Sequence, residues 1–110
     1  MKKIAETDFA DLVIQADGLQ VVHFYNPYSD YSNYVHQILK ELYETNENAC
    51  FFQINLLQCE TLCERYGIST PSVLIFEDGV LQDILQDLVS KDALAAKLAV
   101  LAASAGTWHN

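Results

Sequence analysis

The chain has 110 residues and a mass of 12.4 kDa, enough for one domain with a hydrophobic core and too little for two. Its formal net charge is −9 and it holds only 6 Lys and Arg side chains, so it lacks the cations with which proteins bind nucleic acids and acidic membranes. No apolar run approaches the length of about 20 residues that a membrane span needs. Glu6 and Asp8 follow Lys2 and Lys3 at once and leave no apolar signal segment, so we expect a cytoplasmic protein.

The N-terminal part of the chain predicts a strand, a helix and a second strand. Residues 2–6 fit a short first strand, and Thr7 or Asp8 can cap the helix that follows. That helix has apolar side chains at i, i+3, i+4 and i+7, namely Phe9, Leu12, Val13 and Ala16. Gly18 ends it. Residues 19–25 are apolar on both faces, which predicts a buried central strand.

A polar and aromatic turn at residues 26–32 connects this strand to an amphipathic helix. The apolar stripe of the helix consists of Val35, Ile38, Leu39 and Leu42, and the helix ends within the polar residues 44–48. Residues 50–55 predict the next strand. Strand, helix and strand in this order imply a parallel pair joined by a crossover.

The C-terminal half predicts a short helix, a hairpin and a last helix. The short helix covers about residues 58–66 and ends at Gly67. A strand at 72–77 meets a second one at 80–88 through the turn signal of Asp78 and Gly79. Ser90 caps the last helix, whose core face consists of Leu94, Leu98 and Leu101. Residues 106–110 show no pattern and predict a loose tail at the end of a single domain, 1–110.

The element order is therefore β-α-β-α-β-α-β-β-α. A parallel half followed by an antiparallel half predicts an α/β fold with a mixed central sheet and helices on both faces.

Three cysteines, Cys50, Cys59 and Cys63, do not predict a disulfide framework, because the number is odd and no secretion signal is seen. Cys59 and Cys63 lie four residues apart on the apolar stripe of the short helix, where a free cysteine acts as a small hydrophobic side chain. Their Cβ atoms should lie about 5–6 Å apart, whereas a disulfide needs about 3.5–4.5 Å. No histidine is near in sequence, so we expect no metal site and no cofactor.

The element order and several local sequences resemble thioredoxin over nearly the whole chain. The matching pieces are the helix of Phe9, the strand that ends in Phe24 and Tyr25, Ile38-Leu39 in the following helix, Tyr66-Gly67-Ile68, a proline before a strand, and Phe76-Glu77-Asp78-Gly79 at the hairpin. The resemblance implies a thioredoxin-like fold with its functional site at residues 26–32.

The resemblance fails at the residues that carry the family's chemistry. Where thioredoxins have a Trp-Cys-x-x-Cys motif, this chain has Tyr28, Ser29, Asp30, Tyr31 and Ser32. Thiol–disulfide exchange needs an attacking thiolate and a second, resolving thiol. A serine hydroxyl replaces neither, so we do not expect dithiol–disulfide reductase activity.

Other positions of the family site also differ. His23 replaces the buried carboxylate beneath the site, Gln53 replaces the lysine that pairs with it, and Asp87 replaces the glycine beside the binding groove. The family's proline is retained as Pro71 after Thr70, although the segment before it is one residue shorter. The resemblance implies a cis Pro71 that exposes the backbone of Thr70 to an extended peptide.

His23 near Ser29 or Ser32 also raises the alternative of a serine hydrolase, since a histidine can activate a hydroxyl that it contacts. No third group to orient the imidazole and no oxyanion donor are identified, and His23 lies within a buried strand. A buried neutral histidine with a hydrogen-bond partner is the structural alternative.

Tyr28 and Tyr31 in the turn, next to Ser29 and Asp30, have the composition of a protein-recognition surface, or simply cover the helix start.

The sequence thus leaves three hypotheses. The first is a redox-inactive, thioredoxin-like adaptor or chaperone-like module that binds a protein or peptide through Tyr28, Asp30, Tyr31, Thr70 and Pro71. The second is an atypical thiol–disulfide oxidoreductase or redox-regulated protein that uses Cys50, Cys59 or Cys63. The third is a structural, homodimerising domain.

Overall fold

A five-stranded mixed sheet forms the centre of the fold. The computed structural model of the chain describes residues 1–86 and 90–107. The strands are β1 (Lys2–Lys3), β2 (Leu19–Tyr25), β3 (Ala49–Asn55), β4 (Ser72–Glu77) and β5 (Val80–Gln86), and their order across the sheet is β1-β3-β2-β4-β5. This is the mixed sheet that the element order predicts.

Strand β2 lies in the middle and pairs on both sides. It runs parallel to β3, with Phe24 opposite Ile54, and antiparallel to β4, with Phe24 opposite Ser72. Leu19 to Phe24 are all buried, as the run of apolar residues predicts. The carboxyl end of β2 and the amino end of β4 therefore lie at the same end of the sheet.

Three helices cover the two faces: α1 (Asp30–Thr45), α2 (Glu60–Tyr66) and α3 (Lys91–Thr107). The predicted stripes of α1 and α3 pack in one core against the sheet, and α2 contributes Leu62 to the core on the opposite face. Ser90 caps α3 as predicted, because its Oγ accepts the N–H of Ala93 at 3.1 Å.

The predicted first helix is wrong in type. A 3-10 turn at Glu6–Asp8 and a π-turn at Ala10–Ile14 replace it. The cap is Ala5 rather than Thr7 or Asp8, and the Asp8 carboxylate accepts the Ala5 N–H at 2.9 Å. The irregular segment still buries Phe9 and Val13, and the Phe9 ring packs edge-to-face on Phe24 and Phe76. These distant aromatic contacts determine the local conformation.

The C-terminal predictions differ at two boundaries. Helix α3 continues to Thr107, beyond residue 106 at which the tail was predicted to begin, and residues 108–110 lie outside the described part. Strand β5 ends at Gln86, and residues 87–89 lie outside the described part too. None of the described helices has the length and apolar character needed to cross a membrane.

The predicted hairpin turn is tied to the N-terminal segment. Asp78 and Gly79 both have positive φ, 51° and 81°. Asp78 donates its N–H to the Gly18 carbonyl at 2.9 Å and accepts the Gly18 N–H on its carboxylate at 2.7 Å. A Cβ on Gly79 would overlap the carbonyl oxygen of Ile14, whereas a Cβ on Gly18 would meet no atom within 4 Å. The close approach of two backbones therefore requires glycine at position 79.

We expect Gly79→Ala to destabilise the fold more than Gly18→Ala. Both positions have a φ of 81°, which costs alanine about 1–2 kcal/mol. Overlap with Ile14 raises the expected loss for Gly79→Ala to about 2–5 kcal/mol. Urea unfolding of both variants measures the difference, and equal losses would contradict the close packing of the hairpin on residue 14.

Candidate functional site

The turn after β2 begins α1 with a serine cap. Ser29 has the extended backbone of a cap residue, and its Oγ accepts the N–H of Ser32 at 3.2 Å. The cap satisfies one of the helix N–H groups that have no partner within the helix. Ser29 therefore has a structural role at the first motif position.

Ser32, at the second motif position, is also held in the backbone network of the turn. It is buried, and its Oγ accepts the N–H of Asn26 at 2.9 Å. The Asn26 side chain in turn accepts the N–H of Tyr28 at 2.9 Å. Because a hydroxyl accepts hydrogen bonds better than a thiol, serine suits both positions of this turn.

The tyrosines of the turn differ in exposure. Tyr28 is 87% exposed and projects from the turn, and Asp30 beside it is exposed. Tyr31 is half-buried, because it lies one helical turn before Val35 and packs on the core of α1 and α3. Its ring centroid lies 6.2 Å from that of Tyr34, which is 55% exposed. The sequence predicts an aromatic cluster that includes Tyr28, Tyr31 and Tyr34, and assigns the recognition surface to Tyr28 and Tyr31.

Thr70 and Pro71 lie at the same end of the sheet, because Ser72 pairs with Phe24 just before the turn. The prediction of a cis Pro71 is wrong: the described residues contain no cis peptide bond. Trans is the favoured isomer of an X–Pro bond by about 0.5–1 kcal/mol. Thr70 is exposed, and its carbonyl accepts the Ser72 hydroxyl at 2.8 Å. Asp87, predicted beside this groove, lies outside the described residues.

His23 lies beneath the turn and is only 1% exposed. Neither ring nitrogen has a hydrogen-bond partner among the described residues, so the imidazole bonds to neither serine and the predicted partner is not found. Burial, and secondarily the charge of His36, lowers the pKa of His23 from 6.5 to about 4. The serine hydrolase alternative therefore lacks its necessary hydrogen bond.

The sulfur atoms of Cys59 and Cys63 lie close together at the start of α2. Cys59 is the cap residue before the helix, with φ −137° and ψ 54°, and its Sγ lies 3.6 Å from that of Cys63. Cys59 is fully buried, Cys63 is half-buried and Cys50 is exposed. Burial, and then the hydrogen bond with Cys63, raises the pKa of the Cys59 thiol to about 12. Within the described part, no cluster of three or more His, Cys, Asp or Glu residues is arranged to hold a metal ion.

A cleft of about 630 Å³ between α1 and the β1–β3 edge of the sheet was not predicted from the sequence. His23 and Gln53 lie on its sheet side, where the register pairs Lys3 with Gln53 and Gln53 with His23. His36 and Lys40 line it from α1. The i, i+4 spacing of His36 and Lys40 beside the apolar stripe of α1 was the signal in the sequence for this wall of the cleft.

We expect His23 to make the fold sensitive to mild acid. The folded chain holds this histidine neutral down to about pH 4, while the unfolded chain protonates it near 6.5. Stability is therefore complete above about pH 6.5 and decreases as the pH falls towards 4, by about 3 kcal/mol in all. Urea unfolding at several pH values should show a weaker pH dependence for His23→Gln than for wild type.

The matched control is His36→Gln, because His36 is a histidine of the same region that is only partly buried. Its pKa is also lowered, first by that burial and then by the charge of Lys40. This variant should retain most of the wild-type pH dependence. Identical pH profiles for wild type and His23→Gln would show that His23 does not titrate as its burial implies.

Comparison with known proteins agrees with the fold. A search of the curated proteins gave no match. Among solved structures, a mutant thioredoxin from Halobacterium salinarum NRC-1 is similar, with a TM-score of 0.81 and 20% identity over 91% of this chain and 88% of that one. The family model for thioredoxin matches residues 1–100. The chain therefore belongs to the thioredoxin family.

Proposed function

We propose that this protein binds a protein or peptide at the turn after β2 and performs no dithiol chemistry there. One observation supports the proposal: at Ser29 and Ser32, which the resemblance assigns to the family's cysteine positions, a serine hydroxyl accepts a backbone N–H of the turn. A disulfide reductase must attack the target with a thiolate and then form its own disulfide. Ser29 and Ser32 can form neither sulfur–sulfur bond.

The proposed binding surface consists of Tyr28, Asp30, the exposed part of Tyr31, Thr70 and Pro71. Tyr28 offers a large amphipathic ring at 87% exposure, and tyrosine is enriched where proteins meet. The β2–β4 register supports a shared surface, because it brings the turn and Thr70 to one end of the sheet. The occupant is a peptide, a protein or, in the homodimer alternative, a second copy of the chain. A cytoplasmic location stays a prediction.

A second candidate function is favoured by the 3.6 Å separation of the Cys59 and Cys63 sulfur atoms. An oxidant, such as another disulfide, would take two electrons and two protons from these thiols and leave a Cys59–Cys63 disulfide. The high pKa and complete burial of Cys59 oppose it as the attacking thiol, so Cys63 would have to react first. The protein would then be redox-regulated through α2 rather than through the turn.

An insulin reduction assay separates these two functions. With dithiothreitol as the reductant, we expect wild type to leave the rate at its uncatalysed value, because no thiol is present in the turn. The matched positive control is Ser29→Cys with Ser32→Cys, which places two thiols in an otherwise unchanged turn. A wild-type rate well above the uncatalysed one would overturn the first proposal, and loss of that rate in Cys63→Ser would establish the second.

Binding through the turn is tested with peptides selected on wild type from a displayed random library. We expect Tyr28→Ala to weaken a selected peptide by about 2 kcal/mol, roughly 30-fold, as an interface tyrosine typically does. Calorimetric titration measures the affinity. The control is Val80→Ala, since Val80 is 61% exposed at the hairpin, away from the turn.

Two further results bear on this prediction. Tyr28 contributes little to the core, so the thermal unfolding temperature of Tyr28→Ala should equal that of wild type. Peptides that bind both variants equally well would contradict the proposed surface. Sedimentation velocity of wild type and Tyr28→Ala distinguishes the second copy from other occupants, because only a homodimer through this surface dissociates on the substitution.

A further inference from the structure

The cleft between α1 and the edge of the sheet is separate from the proposed peptide surface. Tyr28, Thr70 and Pro71 do not line it, whereas Pro27 and Ser32 do, on the inner side of the turn. Its volume of about 630 Å³ lies in the range of about 300–1,000 Å³ that is usual for small-molecule sites.

Positive charge is concentrated at this cleft although the chain carries a net charge of −9. Lys3 and Lys40 line it, and neither forms an ion pair with a residue that the structure describes. His36 also lines the cleft, and its pKa is lowered by burial and then by the charges of Lys40, the N-terminal amine and Lys3. Glu44 is the acidic side chain among the lining residues. The cleft thus offers unpaired cations to a ligand.

The inner end of the cleft holds a polar group in need of a partner. His23 is 1% exposed, and both of its ring nitrogens lack a hydrogen bond within the described part of the chain. Leaving a buried polar group unpaired is unfavourable, and a ligand atom within hydrogen-bond reach would remove that cost. Gln53, also buried, lies beside it in the register.

The remaining wall is aromatic and apolar. Tyr25, Pro27 and Tyr43 line the cleft, and the Lys3 Nζ lies 5.9 Å from the centre of the Tyr25 ring. The Tyr43 ring is fixed edge-to-face against Phe51, with centroids 5.9 Å apart. Such a wall packs on a flat hydrocarbon body, which an inorganic anion lacks.

We propose that this cleft binds a small organic anion, a molecule with an aromatic or apolar body and one carboxylate, phosphate or sulfonate group. The acidic group lies among Lys3, Lys40 and His36, and the body packs on Tyr25 and Tyr43. The site is independent of the peptide surface and of the cysteines.

The test uses the fluorescent probe 8-anilinonaphthalene-1-sulfonate and its uncharged counterpart N-phenyl-1-naphthylamine, which lacks the sulfonate. We expect wild type to bind the sulfonate about tenfold or more tightly than the uncharged probe, as charge-assisted hydrogen bonds imply. Amide and histidine-ring NMR signals that shift on titration should come from His23, His36 and the neighbouring residues of α1 and β3.

Matched charge variants locate the acidic group. Lys3→Gln with Lys40→Gln should weaken the sulfonate about tenfold. The control, Lys2→Gln with Lys91→Gln, removes the same charge outside the cleft. Lys2 lies opposite Phe52 in the β1–β3 register and faces the other side of the sheet, and the Lys91 ammonium forms an ion pair with Glu41 at 3.0 Å. It should change the affinity less than about twofold. All four lysines are exposed on the surface, so both double variants should unfold at the wild-type temperature.

Four results would overturn the proposal. These are equal affinity for the two probes, equal losses in the two double variants, NMR shifts confined to other parts of the chain, and displacement of the sulfonate probe by inorganic sulfate as efficiently as by naphthalene sulfonate. The first three would remove the charged cleft as the binding site. The last would reduce it to a site for inorganic anions.

Discussion

Burial of β2 on both faces is the constraint on which the rest of the structure depends. A strand with neighbours on both sides satisfies its backbone within the sheet, and its side chains alternate between two cores. Val21 belongs to the core of α1 and α3, and Val22 belongs to the core on the other face. The same alternation directs His23 towards α1. The strand ends at Tyr25, and the turn that follows lies close to this buried imidazole.

Short-range patterns were sufficient to predict most of the elements. The apolar run of β2, the stripes of α1 and α3, the Ser90 cap and the hairpin at Asp78 each depend on residues close together in sequence. The first helix could not be predicted correctly, because distant aromatic rings fix Phe9 in an irregular segment. The cleft depends on the β1–β3–β2 register, which no local pattern contains.

A single turn separates two chemically different surfaces. On its outer side Tyr28 projects into solvent, and on its inner side Pro27 and Ser32 border the cleft with its unpaired lysines. The serine hydroxyls hold the turn through backbone hydrogen bonds and so keep both surfaces in place. What Ser29 and Ser32 contribute to this turn is hydrogen bonding to its backbone.

The exposed thiol of Cys50 has a practical consequence. It lies near the start of β3, opposite Gln20, whereas the turn follows the other end of these strands. At about 3.3 Å per residue the separation is about 15–20 Å. With Cys59 fully buried and Cys63 half-buried, a maleimide dye or a surface linker reaches Cys50 first. A chain tethered through this thiol would present the turn and Thr70 to the solution in one uniform orientation.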